Sequence, residues 1–167
     1  MLPTHHRDLD PAALGALVDG LAARPDAWRH LVCHRPDART YEQLHRDDHV
    51  AVWLICWMND HDTGFHDHDL SAGALSVARG SIREERLVLG GPPSARTLSA
   101  GQSLTFAASD IHRVSHAGTE PAVTLHAYSP PLWRMGAYDV APGGTLRRHS
   151  MSYAEELRPL DEAAVPA

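Results

Sequence analysis

From Arg39 onward the chain is broken by turn-forming residues at a short and nearly even interval, and this rhythm excludes most folds. Turns fall at Asp47-Asp48, 59–64, 69–72, Arg79-Gly80-Ser81, Gly90-Gly91-Pro92-Pro93, Gly101, 108–110 and Gly118, a spacing of about 8–12 residues. The runs between them are too short for packed helices and read as strands: 41–46, 50–58, 65–68, 73–78, 82–89, 95–98, 103–107, 112–116 and 122–128. Residues 135–140 and 146–153 add edge strands. Many short strands with such punctuation build an all-β sandwich or barrel. The start of the chain differs. Asp10 caps a helix that opens at Pro11, with Leu14, Leu17, Val18 and Leu21 at helical spacing. Pro25 opens a second short helix carrying Trp28, Leu31 and Val32, which Arg35-Pro36-Asp37 ends. The expected organisation is a helical segment over 1–38, one β unit over 39–153 and a loosely held tail over 154–167.

Bulk properties narrow the function. The 167 residues suit a single domain, and no apolar run approaches the length of a membrane span. A net charge of −6 with no basic stripe argues against nucleic acid as a partner. Two cysteines, Cys33 and Cys56, are too few for a disulfide framework, and the first residues lack a signal-peptide pattern. The expectation is a cytoplasmic protein, monomer or homodimer, without membrane or nucleic-acid partners.

Thirteen histidines stand out. At that density a His-x-His pair can arise by chance, so its surroundings must decide. On a strand His66 and His68 point to the same side about 7 Å apart at the backbone, close enough to converge on a metal about 2.1 Å from each nitrogen. Asp67 faces the other way. A third ligand must come from another strand, and His112 is the best candidate. Spacing alone leaves two readings open, a metal site and the polar face of an ordinary strand.

The joint arrangement resembles the cupin family. Gly80 follows His68 by twelve residues, and Gly101 precedes His112 by eleven, as in the two cupin motifs. The motif glutamate is missing, and Ala72 or Gly73 stands at its place. Ala107, Ser109 and Asp60 depart from the motif's Pro, Gly and leading Gly. A cupin without that glutamate resembles the thiol dioxygenases, whose type member is cysteine dioxygenase. Ile111-His112-Arg113-Val114, the run from Glu120 through Leu125-His126-Ala127-Tyr128-Ser129-Pro130-Pro131, and Cys56-Trp57 nine residues before His66 all look like that family. The similarity runs from about residue 41 to about residue 131.

The resemblance implies an all-β cupin (jelly-roll) β-barrel with a short N-terminal helical segment. It implies Fe(II) on His66, His68 and His112, with a small thiol and O2 as reactants and a sulfinic acid as product. Tyr128 matches the family's active-site tyrosine, and His126 and Thr124 lie on its strand face. Gly73 matches the cysteine that is crosslinked to this tyrosine in animal enzymes. Substrate contacts would come from Gln43, Tyr41, Trp57 and Arg113. The family's carboxylate-binding arginine matches Gln43, which argues against simple cysteine and leaves 3-mercaptopropionate or a larger thiol such as ergothioneine open. Arg39, Arg46, Arg113 and Arg134 are the cations that could replace it. Another metal-dependent cupin enzyme, or a non-catalytic cupin that binds a small ligand or metal, remains the alternative.

Other polar residues read as structural. Cys33 and Cys56 are packed thiols, Trp53 fills the barrel, and His5-His6 belongs to a mobile terminus. His30 and His34 close a helix, and His45 and His49 straddle a turn. His61 and His116 could stand behind the site.

Overall fold

The structure, a computed structural model, describes residues 2–140 and 145–152. Eleven strands among them form two facing sheets. They are β1 (Thr40–Arg46), β2 (Ala51–Trp57), β3 (Phe65–Asp67), β4 (Ala72–Arg79), β5 (Ser81–Arg86), β6 (Ser94–Ser99), β7 (Ser103–Phe106), β8 (His112–Ala117), β9 (Ala122–Ser129), β10 (Arg134–Val140) and β11 (Leu146–Ser152). One sheet has the order β1-β2-β9-β4-β7 and the other β11-β10-β3-β8-β5-β6. All pairings between these strands are antiparallel. This is the barrel that the turn rhythm calls for.

Both faces of β2 are buried, which explains its unbroken apolar sequence Ala-Val-Trp-Leu-Ile-Cys-Trp. Trp53, Ile55 and Trp57 fill the barrel interior with Leu75, Val77, Ile82 and Phe106. Val52, Leu54 and Cys56 face outward and meet helix α1 (Pro11–Ala22) through Leu14, Val18 and Leu21. Each of those three helix side chains contributes about 1.5–3 kcal/mol by leaving water. Asp10 caps the helix as expected, accepting from the Ala13 amide at 2.8 Å. Burial also pushes the Cys56 thiol up, so it behaves as an apolar filler.

Four expectations change. Cys33, expected as a packed thiol, is exposed, because it lies in the connection between the second 3₁₀ turn and β1 and not on a buried strand face. The second helix is two separate 3₁₀ turns, Pro25–Ala27 and Arg29–Leu31. Trp28 breaks the run because its indole donates back to the Leu21 carbonyl at 2.9 Å and holds φ at −141°. The strand expected over 82–89 stops at Arg86, and 87–89 pass into the loop before β6. Strand β10 is not an edge, since it lies between β3 and β11. The tail over 154–167, with residue 153, lies outside the described residues. No helix among the described residues is long and apolar enough to cross a membrane.

Gly80 makes the crossing from β4 in one sheet to β5 in the other. Its φ is +70°, and an added Cβ would stand 2.7 Å from the Pro121 carbonyl oxygen and 2.8 Å from the Ala122 Cα. Gly101 has φ +85° but open space around it. Gly80→Ala should therefore lose about 3 kcal/mol and Gly101→Ala only about 1 kcal/mol, read from urea denaturation. Equal losses would remove the close approach at Gly80 from the account.

Candidate metal centre

Strand alternation turns His66 and His68 to the interior and Asp67 to the outside. Strand β8 then sets His112 directly opposite His66 in the ladder. The three ring centroids lie 4.7–5.0 Å apart, and one nitrogen from each ring falls within 4.8 Å of the others. Their exposures are 6%, 1% and 1%.

Hydrogen bonding at the far nitrogens fixes the orientation of two rings. His66 donates from Nδ1 to the Gly64 carbonyl at 3.0 Å, which leaves Nε2 for the interior. His112 donates from Nδ1 to Glu84 Oε1 at 3.2 Å, which likewise leaves Nε2. Neither nitrogen of His68 has a partner in the protein, although both are buried. An unpaired buried polar atom costs about 1–3 kcal/mol. Burial, with the neighbouring His112 ring second, pushes His66 down to about 3, and burial also drives His68 well below its ordinary value. Neutral imidazoles are the ligand form. Three imidazole nitrogen donors, one ring with both nitrogens orphaned, fit a divalent first-row transition metal.

Two carboxylates hold this cluster from behind. Glu84 is 1% exposed and takes His112, Arg86 Nε at 2.7 Å and Arg96 Nε at 2.6 Å. Burial would raise its carboxyl, but these three donors outweigh it and hold it at about 2. A carboxylate on the far nitrogen of a ligating histidine sets the tautomer and makes the ring more basic. Asp67 is the second. Arg148 of β11 forks onto it at 2.7 and 2.9 Å, Tyr138 donates at 2.6 Å, and the Gly136 and Asp69 amides donate at 3.1 and 3.0 Å. A side chain at 136 would overlap the Arg148 guanidinium, so glycine there lets the fork close.

A polar file runs along β9 beside the histidines. The Trp57 indole donates to Thr124 Oγ1 at 2.8 Å, Thr124 Oγ1 lies 2.8 Å from His126 Nε2, and His126 Nδ1 lies 3.3 Å from the Tyr128 hydroxyl. With Thr124 donating to Nε2, His126 donates from Nδ1 to the phenol oxygen, and the phenol proton is directed away from His126. Burial, with His112 and Arg39 adding, pushes His126 down to about 3. The file and the metal cluster border one cavity of about 20 Å³, whose lining includes Arg39, Tyr41, Trp57, His66, His112 and Tyr128. Arg39 stacks its guanidinium 5.6 Å from the Tyr41 ring and 5.4 Å from the Trp57 ring.

Comparison with known proteins matches this geometry to one family. The Cysteine dioxygenase type I family matches residues 5–141. The chain belongs to that family. It is 34% identical over 103 residues to cysteine dioxygenase type 1 of Rattus norvegicus, covering 55% of this chain and 50% of the rat protein. The human protein of the same name is 32% identical over 101 residues, with the same coverages. The chain thus spans about half the length of the curated relatives it matches. Among solved structures, TT1209 from Thermus thermophilus aligns with a TM-score of 0.53 and 16% identity over 62% of this chain and 93% of that one. A cupin superfamily protein from Desulfitobacterium hafniense gives 0.52 and 14% over 62% and 87%. These likenesses establish the cupin barrel fold.

Within this cysteine dioxygenase family member, the expected residues separate into two groups. His66, His68, His112, His126, Tyr128, Tyr41 and Trp57 come together. Gln43 does not. It is exposed on β1 opposite Trp53, two residues beyond Tyr41, and lies outside the cavity lining. Arg113 points away and forks onto Asp62, with Nε at 2.9 and 2.7 Å. Arg134 pairs with Asp69 at 3.3 Å, and Arg46 is exposed. Of the four candidate cations, Arg39 is the one in the lining. Gly73 makes room for Phe106, whose ring would overlap any added Cβ and stacks on His68 at 4.5 Å. Glu84 was missed by sequence reasoning. The signal was its alternation with Ile82 on β5, which places an acid on the buried face.

His126 gives a pH test. The unfolded residue takes a proton below its ordinary value of 6.5, while the buried ring resists until about 3. Unfolding therefore takes up a proton in that window, and stability falls as pH drops through it. Denaturation midpoints between about pH 7 and 4 should fall less steeply in His126→Gln than in the parent. Parallel slopes would show that His126 is not held neutral.

Proposed function

We propose that this protein is an iron(II)-dependent thiol dioxygenase acting on a small, carboxylate-bearing thiol. The observation that carries the reading is His68, buried with both nitrogens unpartnered, between two rings whose interior nitrogens are likewise turned toward it. Fe(II) held by His66, His68 and His112 would supply a centre where a thiol and O2 combine, RSH + O2 giving RSO2H, with all four electrons drawn from sulfur. The rest falls to the chain. Glu84 and the Gly64 carbonyl keep two imidazoles aimed inward. Burial keeps His66 and His68 unprotonated, so their nitrogen lone pairs stay available to a metal. Tyr128, fixed by His126, offers its hydroxyl proton at the cavity wall to the oxygen or sulfur that becomes negative.

Arg39 selects the substrate in this reading. It places a guanidinium at the cavity wall, where a carboxylate gains a charge-assisted hydrogen bond. No carboxylate lines the same cavity among the described residues, so among them a substrate ammonium finds no counter-charge. A thiol acid without an amine, such as 3-mercaptopropionate, suits this lining better than cysteine.

Oxygen consumption against 3-mercaptopropionate, cysteine, cysteamine and ergothioneine tests the reading. 3-Mercaptopropionate should be turned over best. Arg39→Gln should raise its KM about tenfold or more while leaving cysteamine turnover and iron content unchanged. Tyr128→Phe should keep iron and slow turnover on the order of 10²-fold. Fully iron-loaded protein that consumes no thiol would overturn the proposal. An unchanged KM in the Arg39 variant would overturn the anchor alone.

A further inference from the structure

The turn between β1 and β2 carries a second cluster of metal-type donors, away from the barrel interior. His5, His45 and Asp47 bring one nitrogen or oxygen each within 4.8 Å of the others. They come from two stretches far apart in sequence: the segment before α1, and the end of β1 with the turn that directly follows it. His5 side-chain exposure is 15%, His45 11% and Asp47 9%, so all three are largely shielded from water.

The hydrogen bonding here is crowded onto one atom. Asp47 Oδ2 is approached by the His5 amide at 2.7 Å, His45 Nε2 at 2.9 Å and His5 Nδ1 at 3.0 Å. Asp47 Oδ1 is already used by the His49 and Val50 amides at 2.8 and 2.7 Å. Two imidazoles must therefore both turn an N–H to an oxygen that a backbone amide also occupies. The two rings stand 5.7 Å apart and 75° to each other, so their nitrogens converge from different directions. Convergence of two histidines and a carboxylate oxygen on one point is the ligand set of a borderline divalent cation. A small opening would admit an ion about 2.0–2.2 Å from each donor, with water as the fourth ligand. Each ring would then carry its proton on the far nitrogen, and the Asp47 charge would be neutralised by the ion.

We propose that His5, His45 and Asp47 form a second, structural site for a zinc-class divalent cation, which clamps the N-terminal segment onto the β1–β2 turn. The clamp reaches toward the working end of β9. Asp8 meets His49 at 2.8 Å, the Leu9 amide donates to Ser129 Oγ at 2.8 Å, and Ser129 donates to the His49 carbonyl at 2.7 Å. Ser129 follows Tyr128 directly in the chain.

The test is an anaerobic zinc titration of the iron-loaded protein, followed by removal of loose metal and measurement of both metals. The parent should gain about one equivalent of zinc with its iron retained, and its thermal midpoint should rise. His45→Gln and His5→Gln should keep their iron, gain no zinc and show no rise. His5 lies outside the barrel, so its variant reports on the site even if the His45 variant is poorly stable. Zinc that replaces iron instead of adding to it, uptake that persists in both variants, or no uptake by the parent would each overturn the proposal.

Discussion

The pairing of His66 with His112 across β3 and β8 is the constraint on which the centre rests. Strand side chains alternate with period two, so a slip of one residue would put Asp67 inside and both histidines outside. Strand β3 has only three residues and can scarcely hold its own register. Its outward residue does so instead. The Arg148 fork, the Tyr138 hydroxyl and the Gly136 amide tie Asp67 to β10 and β11, and so fix which face of β3 looks inward. The last two strands, which at first look like edge decoration, thereby act on the metal ligands without touching them.

The interior around the three rings carries a cost that the outer shell offsets. Burying His66, His68 and His126 removes imidazoles from water, and burial pushes all three down toward the neutral form. Glu84 is buried too, yet stays charged because Arg96, directly opposite on β6, and Arg86, two residues further along β5, both reach it. The negative charge therefore lies behind His112 and not beside the place for substrate. A carboxylate in the ligand set would repel an incoming thiolate. Moved one step back, the same charge strengthens a nitrogen ligand and leaves the interior neutral.

Much of the fold was legible from turn chemistry and strand alternation, which act locally. The eleven strands fall within three residues of their expected ends. Period-two alternation gives the shared faces of His66 with His68 and of Thr124, His126 and Tyr128, whereas His112 and the role of Tyr128 rest on the family resemblance. The misses have a common cause. Trp28 breaks a helix through a bond to Leu21, and β10 is internal because of how the barrel closes. Glu84, Arg39 and the Asp47 cluster owe their roles to neighbours far off in sequence. Gln43 illustrates the limit well. Counting along the chain puts it at the family's arginine position, yet on the folded β1 it is exposed and lies outside the cavity lining. A one-dimensional count has no access to where the cavity ends.

Arg39 and the rings beneath it connect the electrostatics to selection. The guanidinium lies over Tyr41 and Trp57, so two aromatic faces help to hold this long, rotamer-rich cation in place. Trp57 also donates to Thr124, which makes the same indole both the floor under Arg39 and the first member of the file that ends on Tyr128. In the proposed reading, the group that would receive a substrate's charge and the group that would offer a proton to its reacting end are both set by one rigid side chain. Positive charge at one wall, neutral nitrogens at the other and the phenol between them define a polarity. A thiol with an acid at its opposite end is the simplest molecule that matches it.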